Sequence, residues 1–393
     1  MFATIFRKEL LDQVLSPKFL IVSLLCLVLV PASFLLNYAS YSDAFREYDA
    51  ARKEARDTTT VYRLPSPLST FGIGLESVLP KIVVFSKYQV EAKGARVQSE
   101  VLSNINGKID LVVIVGSLLG LFAVLYAGTM ASGEKEAGTL KLVLANSVKR
   151  STVIGAKFLG GFCVLLLPFA VSTLIGLLLI LGQGFPLFGD GHAGRVLALL
   201  LVAVLYLAAL FSLGLFISTR TQKTSLALLA GFFVWIFLTF IIPKTSEPIA
   251  GLIRPVPSEE VMSANRAQVR EQIEKEKGRA LKPLMDKYLS DQGMTGWDWN
   301  GYTKARGPVA QGYEERLDQT LQKFDAEYEL KKSAQRGLSL NIARLSPASV
   351  FTQAALNFCH TGVADLENFN RSLRAHYLQL FQVAFRFAPL CIG

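Results

Sequence analysis

The chain has 393 residues, of which 51% are hydrophobic and only 18% charged, with a formal net charge of +10. A soluble protein of this length carries about a quarter of its residues as charges, so composition excludes an ordinary soluble enzyme. The positive charge calls for no nucleic-acid partner, because lysines and arginines gather in the short loops that a bilayer orients.

In chain order, residues 1–17 come first. Phe2, Ile5, Phe6, Leu10 and Val14 are interleaved with Arg7, Lys8, Glu9 and Asp12, the pattern of an amphipathic helix lying in the membrane interface. Ser16-Pro17 then supplies a cap and a first-turn proline for the next helix. Apolar stretches follow at 19–36, 111–131, 158–181, 196–217 and 226–242, with no Asp, Glu, Lys or Arg in their interiors. A span needs about 20 apolar residues, and lipid leaves only helices for such spans. The first stretch outlasts a signal-peptide core and follows an amphipathic segment, so it reads as an uncleaved anchor. The expected spans are 18–37, 110–131, 153–182, 194–218 and 224–243.

Two hydrophilic insertions separate the spans. The first, 38–109, opens with Ala44, Tyr48, Ala51 and Ala55 at helical spacing, and then Pro65, Pro67, Gly72, Gly74 and Pro80 read as loop. The second, 244–376, repeats apolar residues every three or four positions in two sets. These are Val269, Ile273, Ala280, Leu284, Tyr288 and Tyr313, Leu317, Leu321, Phe324, Tyr328. They predict two amphipathic helices in an antiparallel hairpin, with Gly293, Trp297, Trp299, Gly301, Gly307 and Pro308 as a turn-rich link. Residues 377–393, broken by Arg386 and Pro389, are short for a span and read as an incomplete sixth membrane segment. The fold class expected is an all-α integral membrane protein with five to six transmembrane helices, an interfacial helix and helical insertions.

Orientation follows from Arg7, Lys8 and Lys18, from Lys135, Lys141, Lys149, Arg150 and Lys157, and from Arg220 and Lys223, against a loop at 184–194 without Lys or Arg. The amino terminus and the 132–152 loop face the cytoplasm, and both insertions lie outside. Four unpaired cysteines and three scattered histidines support neither a disulfide framework nor a metal site. Asp110 reads as a helix-start residue rather than a proton carrier. Gly116, Gly120 and Gly128 form a small-residue stripe suited to close helix packing.

The most distinctive stretch is the loop after the second span. Glu134 and Glu136 close the span, and Gly138 and Thr139 open a short helix with Leu140, Val143 and Leu144 on one face. Lys149 and Arg150 follow. Thr139 is expected to cap this helix, with the glutamates near its positive end. Two readings stay open at this level: an interfacial anchor, or a docking helix for a cytoplasmic partner.

Glu-x-Glu-x-Gly-Thr-Leu-x-x-x-Leu from Glu134 to Leu144, the basic Lys149-Arg150, and Gly155-Ala156-Lys157-Phe158 together resemble the coupling segment of type-2 ABC transporter permeases. Lys8-Glu9-Leu10 in the interfacial helix and Leu345-Ser346-Pro347-Ala348-Ser349 resemble further family signatures. The resemblance is nearest to members with large extracytoplasmic insertions. It implies a permease subunit in the bacterial inner membrane, moving an unidentified substrate with ATP hydrolysed elsewhere. Its implied partners are cytoplasmic ABC ATPase subunits, a second permease copy or a paralogue, a periplasmic protein and the lipid bilayer. It implies that Glu134, Glu136, Gly138, Thr139, Leu140, Leu144, Lys149 and Arg150 transmit force from the ATPase. The sequence holds no Gly-x-x-x-x-Gly-Lys-Ser/Thr run, so the chain is not expected to be an enzyme or to hold a cofactor. ATP and Mg belong to the ATPase subunit. The competing class is a membrane scaffold or sensor whose outer hairpin binds a partner.

Overall fold

The computed structural model describes residues 2–54, 60–77, 82–85, 90–93, 109–140, 145, 149–189, 191–289, 298–369, 371–373 and 375. The expected incomplete segment at 377–393, with Cys391, and the positions of Ala55, Pro80, Gly293 and Trp297 lie outside the described residues.

Helix α1 (Phe2–Val14) ends at a turn where the Ser16 hydroxyl donates to Gln13 O and accepts the Phe19 N–H. Helix α2 (Pro17–Glu54) starts there. It buries one side chain per turn, Val22, Cys26, Val30 and Phe34, while Leu20, Ile21, Leu24, Leu27 and Val28 face outward. A four-residue stripe with apolar residues on the other faces is what a helix shows when its second solvent is lipid. The helix does not stop at the membrane boundary expected near residue 37. It runs on to Glu54 and takes Ala44, Tyr48 and Ala51 with it.

Among the described residues, four further helices are long and apolar enough to span: α3 (Leu111–Glu136), α4 (Arg150–Gly182), α5 (His192–Arg220) and α6 (Thr224–Ile253). Two carry a π-helical insert, Ile114–Leu119 in α3 and Phe237–Ile241 in α6. Glycines set the close approaches. A Cβ on Gly176 of α4 would stand 2.7 Å from the Phe34 ring, and one on Gly214 of α5 would run into Val124 O of α3.

The first insertion is not only helix and loop. Strands β1 (Thr60–Tyr62), β2 (Ile82–Phe85) and β3 (Val90–Lys93) form a small antiparallel sheet in sequence order, with Thr60 opposite Val84 and Ile82 opposite Lys93. The proline- and glycine-rich stretch forms two 3-10 turns, Pro67–Thr70 and Gly74–Ser77. These turns pack onto the spans: Phe71 meets Phe34 edge-on at 5.0 Å and Phe185 at 5.6 Å. Asp110 caps α3 by accepting the Val113 N–H at 2.8 Å, and its second oxygen accepts the Ile73 N–H at 2.8 Å.

The chain divides into two compact units, Met1–Ile242 with Arg344–Gly393, and Pro243–Ala343. The second unit holds α7 (Glu259–Leu289) and α8 (Trp299–Ala343), paired side by side. Arg266 reaches Asp325 at 2.7 Å, and Arg316 reaches Glu276 at 2.9 Å. The pairing of Glu276 with Arg316 and of Arg266 with Asp325 runs in opposite sense, so the two helices are antiparallel. The expected link is shorter than its composition suggests. Trp299, Gly301, Gly307 and Pro308 all lie in α8, because Asp298 captures the Gly301 N–H at 2.9 Å and starts the helix early.

In the first unit, Ser346 caps helix α9 (Pro347–Phe358) by accepting the Ser349 N–H, and its hydroxyl donates to Leu238 O in the π-helical part of α6. Phe351 of α9 stacks on Tyr206 of α5 at 4.7 Å.

Candidate functional site

Helix α3 ends in a left-handed turn. Ala137 N–H donates to Gly133 O, Gly138 N–H donates to Lys135 O, and Gly138 has φ +75°. Only glycine takes that conformation without strain, which is why the helix stops there. Glu136, Ala137, Gly138 and Thr139 form an exposed turn, and Leu140 is half-buried. The Thr139 hydroxyl reaches back to donate to Glu134 O at 3.3 Å, and the residues whose N–H groups it is expected to cap, 141–144, lie outside the described residues. Leu144 lies outside the described residues, with Lys141 and Val143. Lys149 and Arg150 are exposed, Lys149 as the extended residue that starts α4.

Three consecutive side chains at this turn hold three different helices. Glu134 pairs with Lys157 of α4 at 2.9 Å. Lys135 donates to the carbonyls of Ser218, Thr219 and Thr221, closing the end of α5 where helix carbonyls lack partners. Glu136 accepts the backbone N–H of Thr224 at 2.9 Å, at the positive end of α6. One turn earlier, α3 is interrupted at Thr129. There the buried Ser218 hydroxyl of α5 accepts both the Ala131 and Ser132 N–H groups, at 2.9 and 2.8 Å.

Lys157 also pairs with Glu9 of α1 at 2.6 Å. Lys157 is 3% exposed and Glu9 4%, so this ammonium and the Glu9 carboxylate meet away from water, with the half-buried Glu134 as the third member from a third element. Burial of this kind is tolerated only when charges are paired and hydrogen-bonded. The contact needs α1 close to α4, and Gly160 permits it: a Cβ there would stand 3.0 Å from Glu9 Cβ and 3.5 Å from Phe6 O. The Tyr126 hydroxyl of α3 donates to Gln13 O at 3.3 Å, and Lys18 donates to Thr129 Oγ1 at 2.7 Å.

The glycine stripe lies further along α3. A Cβ on Gly120 would meet the Tyr206 hydroxyl at 2.7 Å, whereas one on Gly116 would lie 3.5 Å from the Phe351 ring and one on Gly128 3.8 Å from Ala227 O. All three neighbours are in this chain. The Tyr206 hydroxyl donates to Gly116 O at 2.6 Å, a carbonyl within the π-helical insert.

Of the residues quoted for the coupling resemblance, Glu134 meets Lys157 and Thr139 meets Glu134. Glu9 and Lys157 are legible in the sequence as parts of motifs but not as a pair, and Ser218 and Thr224 carry no sequence signal beyond their positions near span ends. The last turn of α3 is bonded to α4, α5 and α6 and, through Lys157, to α1.

No curated protein and no solved structure matches the chain. The family model described as ABC-2 family transporter protein matches residues 3–391, and the chain belongs to that family as a multi-pass membrane permease subunit of an ABC transporter.

Proposed function

We propose that the chain is driven by a separate ATPase that docks at the turn around Glu136–Leu140 and at Lys149 and Arg150, on the cytoplasmic side of a bacterial inner membrane. The observation that carries this reading is the grip of Glu134, Lys135 and Glu136 on α4, α5 and α6. A push on the exposed turn passes to all three spans at once, through charge-assisted bonds. The side is assigned from the lysines and arginines at this end of the spans, Arg7, Lys8, Lys18, Lys149, Arg150, Arg220 and Lys223.

In this reading no covalent chemistry occurs in the chain, and ATP and Mg sit in the ATPase. A second permease copy or a paralogue completes the path, and the α7–α8 hairpin meets a periplasmic protein. The substrate is unidentified; uncharged spans suit an apolar cargo or a machine acting on periplasmic proteins.

Co-expression with the cognate ATPase tests the docking. Leu140→Glu places a charge on the half-buried face of the segment, outside the lipid. The expected result is loss of co-purification and of permease-stimulated ATP hydrolysis while the permease stays monodisperse. Unchanged co-purification and stimulation would sink the docking site.

A further inference from the structure

We propose that Lys157 is a positioning residue that ties α1 to the coupling turn, so that α1 moves with residues 133–140 whenever the ATPase acts on them. The inference rests on the docking reading above and adds α1 to the moving assembly.

Its basis is the geometry at one buried ammonium. Lys157 Nζ lies 2.6 Å from Glu9 Oε1 and 2.9 Å from Glu134 Oε1, and a lysine has three donors to distribute. Glu9 is the buried charge of α1, whereas Arg7, Lys8 and Asp12 on the same helix are exposed. Its carboxylate is thus aimed into α4 rather than at water. If the cluster only glued α1 in place, apolar side chains of the same volume would do so at lower desolvation cost. A lysine shared by carboxylates on two separate elements does something a greasy contact cannot. It keeps hold of both while either shifts, because its donors rotate and a carboxylate offers a second oxygen. Glu134 has that second oxygen in reserve: its Oε2 is buried with no hydrogen-bond partner among the described residues. The close seat of α1 on Gly160 and the Tyr126–Gln13 bond keep the helix within reach of Lys157 throughout.

The test is amide hydrogen exchange on the permease–ATPase complex in lipid nanodiscs, with and without magnesium ATP and orthovanadate. In the wild-type complex, trapping is expected to change exchange by about threefold or more in both residues 133–140 and Phe2–Val14. Glu9→Leu removes the acceptor on α1 and keeps the Lys157–Glu134 pair, so residues 133–140 should still respond while α1 no longer does, and α1 should exchange about tenfold faster at rest. Lys157→Met should give the same split, and Lys157→Arg should restore the response of α1. A wild-type-like response of α1 in Glu9→Leu overturns the proposal, even if Lys157→Met fails to fold. So does a wild-type complex in which residues 133–140 respond and α1 does not. If residues 133–140 themselves do not respond, the docking reading fails first and the tie to α1 falls with it.

Discussion

The Glu136 carboxylate and the Thr224 backbone N–H meet at 2.9 Å across 88 residues of sequence. The adjacent Lys135 closes the helix that ends just before Thr224. The α5–α6 turn is thereby held from both sides by two neighbouring residues of α3. Removing Lys135 leaves the carbonyls of Ser218, Thr219 and Thr221 without their cation. Lys135→Met should cost about 1 kcal/mol and speed amide exchange over residues 219–226. Glu136→Ala should speed exchange at the first turn of α6 alone. If both variants exchange like the wild type over this turn, the grip on α5 and α6 is not what orders it.

Ser218 carries a larger penalty because its hydroxyl is fully buried and serves two N–H groups at the break in α3. Ser218→Ala leaves both donors without a partner in a region water does not reach, which should cost about 2 kcal/mol. Ser212→Ala is the control. Ser212 is exposed and bonds only to Ala209 O within its own helix, so its loss should stay within about 0.5 kcal/mol. Thermal unfolding in detergent ranks the two; equal midpoints would contradict the capping role of Ser218.

These contacts separate what is legible in the sequence from what is not. The five spans are legible because lipid imposes a single local rule, a run of about 20 apolar residues. Ser16-Pro17 starting α2 and Asp110 starting α3 are legible for a similar reason, since such caps act within about three residues. The partners of the charged motif are not. Lys157 and Glu9 are 148 residues apart, and Lys135 and Thr221 are 86 apart. Nothing in periodicity selects one distant partner over another. The three strands between Thr60 and Lys93 escape a sequence reading because each has only three or four residues, too few for alternation to register. Trp299 to Pro308 mislead in the opposite direction, since glycine and proline signal a turn unless a cap such as Asp298 commits the chain to a helix.

Glu76 gives the fold a pH dependence at the other end of the spans. It pairs with Arg63 in the first insertion, and both side chains are largely buried. Burial raises its pKa above the ordinary 4.5, with Arg63 pulling the other way and failing to cancel it. A carboxyl whose folded pKa is raised binds its proton more tightly folded than unfolded. Its contribution is therefore greatest below 4.5 and declines as pH rises toward the raised value, then stays flat. Glu76→Gln keeps an acceptor for Arg63 and removes the titration, so melting curves from acid to neutral pH should lose that decline. The wild type melted in parallel is the reference; an identical slope in both proteins would exclude Glu76 as its source.

The glycines of α3 and α5 give the sharpest ranking, because the four sites differ in what a methyl group would strike. At Gly214 the obstacle is the backbone of Val124, its carbonyl oxygen first and its Cα at 2.9 Å, which no rotamer change relieves. At Gly120 it is the Tyr206 hydroxyl at 2.7 Å, and that hydroxyl is itself anchored on Gly116 O. At Gly116 and Gly128 the nearest atoms stand at 3.5 and 3.8 Å, ordinary contact distances. Gly214→Ala must push α3 and α5 apart and should cost about 3 kcal/mol, the upper end for overpacking a tight core. Gly120→Ala should cost about 2 kcal/mol, by the same overpacking and the displaced hydrogen bond. Gly116→Ala and Gly128→Ala meet no obstacle within the described residues and gain up to about 1 kcal/mol of helix propensity, so they should be neutral or mildly stabilising. Thermal unfolding of the four variants in one detergent gives the order directly. A Gly128→Ala variant that is as damaged as Gly214→Ala would mean that Gly128 faces a neighbour outside this chain, and the stripe would then mark a contact between subunits.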